Sequence, residues 1–150
     1  MTESREVMLT PTGRASLQER VDEIADVELP AMRPLLVEDE RDERVVADFE
    51  RLQAEHDRLV VLLGTSGTLD LSELGGQIGL GSRVAFTDAD GDRRIVRIVD
   101  PVEAALDDER ISHSSPLASA LMGHAVGDEC VVEAPAGTWT ARIVDVGEDI

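Results

Sequence analysis

The residues best suited to chemistry are five carboxylates within six positions, Glu38-Asp39-Glu40-Arg41-Asp42-Glu43. Carboxylates are hard oxygen ligands, matched to Mg2+, which keeps several waters and takes one or two carboxylates from a protein. Such acids alone on an exposed turn bind the ion weakly. They gain force beside the carboxylates and phosphates of another protein's site. Elsewhere the chain offers little. His56, His113 and His124 do not combine with cysteine or carboxylates at ligand spacing. No Ser–His or Cys–His arrangement has a recognisable spacing. Cys130 is the only cysteine, which excludes an internal disulfide and a cysteine-rich zinc site. Its neighbours Val131 and Val132 mark it as a buried strand thiol. Asp88-Ala89-Asp90-Gly91-Asp92 lacks the spacing and bidentate Glu of an EF-hand loop and reads as a plain turn.

Two helical segments must position the acids. Thr10 before Pro11 is a helix start, with Pro where its missing N–H costs nothing. Apolar residues then recur at Leu17, Val21, Ile24, Ala31 and Leu35, with Glu28 interrupting the seam. Pro30 and Pro34 fall inside this run and predict a bend or break. Beyond the acids the period resumes at Val45, Phe49, Leu52, His56, Leu59 and Leu63, and Gly64 ends the helix. His56 reads as a structural interruption of the stripe. Two such stripes predict an antiparallel coiled coil over residues 1–66, about 30 Å long for about 20 residues a side. The acids lie at its tip.

Residues 67–81 are rich in glycine and read as a linker. No lysine follows these glycines, so they are not a phosphate loop. Residues 82–150 read as a compact α+β domain. Val84–Phe86 and Ile95–Val99 flank the Asp-rich turn as a β-hairpin. A short strand begins at Ile111. Ser115 caps a short helix with Pro116 in its first turn, and Glu129–Ala134 and Thr138–Val146 are strands. Trp139, the only tryptophan, packs on this sheet.

Composition narrows the function. The net charge is −18, and all 14 basic residues are arginine. That balance argues against autonomous nucleic-acid binding, which needs clustered cations. It suits basic protein partners or a well-solvated surface. No apolar run approaches the ~18 residues of a membrane span. The first residues lack the pattern of a signal peptide, and a cytoplasmic location is expected.

Several segments together resemble one family. They are Leu9-Thr10-Pro11-Thr12-Gly13, Pro30, Ile111-Ser112-His113-Ser114-Ser115-Pro116-Leu117, Ala120-Leu121, Gly123, Val126-Gly127-Asp128 and Val132-Glu133-Ala134-Pro135. Over nearly the whole chain the sequence resembles the bacterial Gre family of transcript-cleavage factors and their homologues. The resemblance implies an FKBP-like fold for the C-terminal domain and RNA polymerase as partner. In that family the globular domain docks on the rim of the secondary channel, and the coiled coil reaches down toward the catalytic Mg2+. An Asp and a Glu at the tip then help hold a second Mg2+ and a water, two-metal chemistry supplied in trans. The residues matching Ser114, Ser115 and Pro116 contribute to docking, the first often being acidic or Asn.

The departures point away from cleavage. The cleavage factors' tip, Gly-Asp-Leu-Ser-Glu-Asn, is absent, and the stalk is shorter by roughly two helical turns. Glu38, Asp39, Glu40, Asp42 and Glu43 keep the charge but not the ordered Asp–Glu pair. Of the basic residues that line the family's coiled coil near RNA, the resemblance offers only Arg33, Arg41, Arg44, Arg51 and Arg58 as candidates. The expectation is therefore a monomeric regulator that enters the channel and inhibits RNA synthesis without cleavage. It is not itself an enzyme and holds no cofactor of its own. Any Mg2+ is shared with the polymerase, through Asp39, Asp42 and Glu43. Two alternatives stay open: a cleavage-stimulating factor, or an interaction module acting on another protein. Prolyl isomerase activity is not expected, because such sites are lined by aromatics and residues 82–150 hold only Phe86 and Trp139.

Overall fold

A computed structural model of the protein describes residues 6–37, 42–74, 76–148 and 150. The described chain forms two units, residues 6–7 with 11–67 and residues 8–10 with 68–150.

The first unit is helical. Helix α1 (Pro11–Glu23) runs through a π-helical turn (Ile24–Glu28) into α2 (Leu29–Leu36), and α3 (Glu43–Thr65) packs against all three. The two runs are antiparallel. Arg14, near the start of α1, donates to the carbonyls of Leu63, Ser66 and Gly67 and to Ser66 Oγ, at 2.8–3.2 Å. A cation over the last carbonyls of α3 also suits the negative end of its dipole. On the facing stripe Leu17, Val21, Ile24 and Leu29 are buried. Val45, Phe49, Leu52, His56, Leu59 and Leu63 of α3 are half-buried, in the expected phase.

The π-helical turn corrects the first stripe. Leu29 N–H reaches back to the carbonyl of Ile24, five residues away. Pro30 explains why: it has no N–H, and its ring would strike the carbonyl four residues before it in a regular helix. The wide turn admits one extra residue, so the helix continues through both prolines instead of breaking. The extra residue advances the stripe by one position. Leu29, Met32 and Leu36 turn inward, while Ala31 and Leu35, expected on the seam, are exposed. Glu28 thereby leaves the seam.

The second unit is a mixed α+β structure. Two short strands, β1 (Met8–Leu9) and β2 (Gly67–Thr68), precede a 3-10 turn at Leu71–Leu74. A five-stranded sheet follows, formed by β3 (Arg83–Thr87), β4 (Arg93–Val99), β5 (Arg110–Ser112), β6 (Glu129–Ala134) and β7 (Gly137–Val146) in the order β5-β4-β3-β7-β6. Four of its strands pair antiparallel, with Thr87 opposite Arg93 at the Asp-rich turn. The fifth departs from the expected antiparallel sheet. β5 lies parallel to β4, with Ile98 opposite Ile111. A parallel neighbour needs a crossover, which helix α4 (Pro101–Ala104) and the loop after it supply. The unit therefore holds two short helices, not one; the second is α5 (Pro116–Leu121).

Its core gathers Val84, Phe86, Ile98, Leu121, Cys130, Val132, Ala141 and Ile143. Residues of the glycine-rich stretch join it: Ile78 is 3% exposed, and Gly81 N donates to Ile98 O. Gly81 adopts φ +94°, a conformation in which any side chain would be strained, and a Cβ there would meet Leu71 Cδ2 at 2.6 Å.

Candidate functional site

The acidic segment is described only at its end. Glu38, Asp39, Glu40 and Arg41 lie outside the described residues. Asp42 stands at the N-cap of α3 in extended conformation, and its carboxylate accepts from Arg44 N at 2.9 Å. That is ordinary capping chemistry, with the charge also favoured by the helix dipole. Glu43 opens the helix and is exposed. Of the acids suited to Mg2+ in trans, Asp42 and Glu43 are described, and Asp42 already serves the helix. These two do not make a metal site by themselves.

The three residues predicted to dock lie together. Ser112 and Ser114 share a hydroxyl–hydroxyl hydrogen bond of 2.8 Å, and Ser114 N donates to Ser112 Oγ. Ser115 Oγ accepts from Ala118 N at 3.2 Å, the cap read from the sequence, and Pro116 is the first residue of α5. Ser114 and Pro116 are exposed and border a shallow groove with Ser119, Ala120, Val131 and Glu133. These local bonds hold the exposed Ser114 and Pro116 at the start of α5.

The Asp-rich turn keeps its plain reading. Asp88 Oδ1 accepts from the backbone N–H groups of Asp90 and Asp92, and Asp88 Oδ2 accepts from Arg94 Nε at 2.6 Å. The Arg94 guanidinium, with those backbone donors, holds the Asp88 carboxyl below its usual range. Asp88, Asp90 and Asp92 are the only group of three metal-type ligands among the described residues, and none is at the acidic tip. Beside this turn opens a cavity of about 470 Å3, lined by Phe86, Leu117 and Trp139 among others. Burial pushes the Cys130 thiol up, as an inert strand residue requires.

Several polar anchors had no visible signal in sequence. Glu103 is completely buried and accepts from Thr10 N at 2.8 Å, Thr10 Oγ1 at 2.7 Å and Arg110 Nε at 3.1 Å. Arg97, 7% exposed, makes a bidentate pair with Glu148 at 2.6 Å and donates to Gly81 O. In the first unit Arg20 gathers Glu23, Glu28 and Glu55. Asp100-Pro101, the cap and first residue of α4, was a readable signal. No described helix is long and apolar enough to cross a membrane.

Comparison with known proteins identifies the relatives. Residues 73–148 match the family model described as transcription elongation factor, GreA/GreB, C-term. Over 154 residues the chain is 32% identical to the transcription inhibitor protein Gfh1 of Thermus aquaticus, covering 95% of this chain and 98% of that protein. It is 29% identical over 159 residues to transcription elongation factor GreA of Francisella philomiragia, covering 97% and 98%. Among solved structures, Gfh1 of Thermus thermophilus aligns at 33% identity over 96% of this chain and 100% of that one, with a TM-score of 0.43.

Proposed function

Because this chain belongs to the GreA/GreB family of transcription elongation factors, we propose that it binds RNA polymerase and inhibits RNA synthesis without cleaving the transcript. The observation that carries this reading is the likeness, along nearly the whole chain, to proteins named transcription inhibitor. The helical unit acts as a coiled-coil stalk that enters the secondary channel, and Glu38, Asp39, Glu40, Asp42 and Glu43 bring negative charge toward the active site. The second unit, FKBP-like in this reading, docks through Ser114, Ser115 and Pro116.

The state of Asp42 supports inhibition over cleavage. A carboxylate that caps α3 is held by its own helix. Catalytic Mg2+, where present, is the polymerase's ion, and any hydrolysis is the polymerase's own. The tip's part is to occupy space and repel: carboxylates in the channel compete with incoming nucleoside triphosphate for the same cation-rich surroundings.

A tip variant tests this reading. Glu38, Asp39 and Glu40 are changed to Ala, Asp42 to Ser, which keeps the cap, and Glu43 to Gln. RNA synthesis by purified polymerase is then measured against factor concentration. The variant is expected to bind polymerase and lose inhibition. Unaltered inhibition would rule the acids out as the working part. Failure of the wild-type chain to bind polymerase would favour action on another protein.

A further inference from the structure

The cavity of the second unit has no part in the proposed docking or in the tip. It lies on the core side of the sheet. Phe86 and Trp139 form its floor, with ring centroids 6.1 Å apart, and Leu117 walls it from α5. Two features keep it open. Helix α5 has six residues, which at 1.5 Å each span only about 9 Å of the sheet. The β6–β7 hairpin then contributes the small residues Ala134, Ala136 and Gly137. The volume, about 470 Å3, falls within the ~300–1,000 Å3 typical of ligand sites.

The mouth is acidic. Arg94 stands opposite Phe86 in register and so shares this face of the sheet, whereas Arg93, opposite Thr87, points to the other face. Arg94 is engaged by Asp88. The carboxylates of Asp90 and Asp92 form no salt bridge among the described residues, and their oxygens approach those of Asp88 within 4.8 Å. Asp88 and Asp90 line the mouth with Arg94, and Asp92 lies beside them. An apolar floor beneath a mouth of net negative charge complements a chain that is apolar at one residue and cationic at the next.

We propose that this cavity is a docking site for a protein segment presenting an aliphatic side chain beside an arginine. The aliphatic group rests on Leu117 and Trp139, and the guanidinium meets Asp90, with Asp92 beside it. The inference does not depend on which protein the Ser114–Pro116 corner contacts.

Trp139 is the only tryptophan, so its emission reports on the cavity directly. The full chain is titrated with acetyl-Arg-Leu-Arg-amide to millimolar concentration, beside acetyl-Glu-Leu-Glu-amide and acetyl-Arg-Gly-Arg-amide. A saturable change is expected with the first peptide only. Asp90→Asn with Asp92→Asn is expected to weaken it about fivefold, the scale of an exposed charge pair. Ala136→Phe, at an exposed position, fills the cavity and is expected to abolish it while the circular dichroism stays that of the parent. No saturable change with the first peptide overturns the proposal. So does an equal response to the Glu-Leu-Glu peptide, which would mark an unselective apolar hollow, or full retention in Ala136→Phe.

Discussion

Arg20 and Glu55 tie the two helical runs of the first unit together, Nε to Oε1 at 2.9 Å and Nη2 to Oε2 at 3.2 Å. The pair is bidentate and only partly exposed, and Arg20 also reaches Glu28 at 2.7 Å. The hydrogen bond from Arg20 is the main reason the Glu55 carboxyl sits below the ordinary 4.5 of a glutamate. A double-mutant cycle on Arg20→Met and Glu55→Gln should give a coupling of about 0.5–1 kcal/mol in urea unfolding.

The sign of its pH dependence follows. A carboxyl whose pKa falls on folding binds fewer protons in the folded state, so its pair stabilises fully above the ordinary value and is lost below it. Glu55 with Arg20 and Glu148 with Arg97 both act in this direction. Urea midpoints measured from pH 7 down should fall once the pH drops below about 4.5. The fall should be smaller in Glu55→Gln. An identical acid profile in that variant would remove Glu55 from the explanation.

The π-helical turn makes a sharp prediction about packing. Leu29 is 7% exposed and Leu35 is 46% exposed. Leu29→Ala should cost about 2–3 kcal/mol, as core truncations do. Leu35→Ala should cost about 0.5 kcal/mol or less. An uninterrupted α-helical register would reverse the order, so the two variants together decide the phase of the stripe.

Glu103 is fully buried, and it joins Thr10, 93 residues before it, to Arg110, seven residues after it. Removing one member of a buried charged cluster leaves the others unsatisfied, and Glu103→Ala should cost about 3 kcal/mol or more. Thr10→Val deletes the 2.7 Å hydroxyl bond and should cost about 1 kcal/mol. Chemical denaturation of the full chain checks both.

The Ser114–Pro116 corner separates folding from docking. Ser115→Ala removes the α5 cap and should cost about 1 kcal/mol. Pro116→Ala, at an exposed first-turn position, should leave stability within about 0.5 kcal/mol yet weaken co-sedimentation with RNA polymerase. Undiminished binding by Pro116→Ala would remove the corner from the docking surface.

Local chemistry was legible in the sequence where a signal spans a few residues. Ser115-Pro116 announced α5, the Asp-rich turn announced its hairpin, and the α3 stripe from Val45 to Leu63 kept its phase. Reading failed where distant residues decide. A strand's direction depends on its crossover, so β5 could not be assigned parallel from Ile111 alone. Thr10 and Glu103 are 93 residues apart, and no spacing rule joins them. The first stripe failed for a subtler reason: Pro30 predicts a bend or break, and the helix absorbs it with one extra residue in a π-helical turn. The anomaly was visible, since Glu28 stood on the seam of an otherwise apolar run.

The most direct test of inhibition without cleavage uses backtracked RNA polymerase complexes carrying 3′-labelled RNA. Full-length factor is added with Mg2+, first without and then with nucleoside triphosphates. The expected result is slowed extension, with no release of short labelled 3′ fragments above the polymerase alone. Rapid release of those fragments, dependent on the factor, would contradict it and place this chain among the cleavage-stimulating factors.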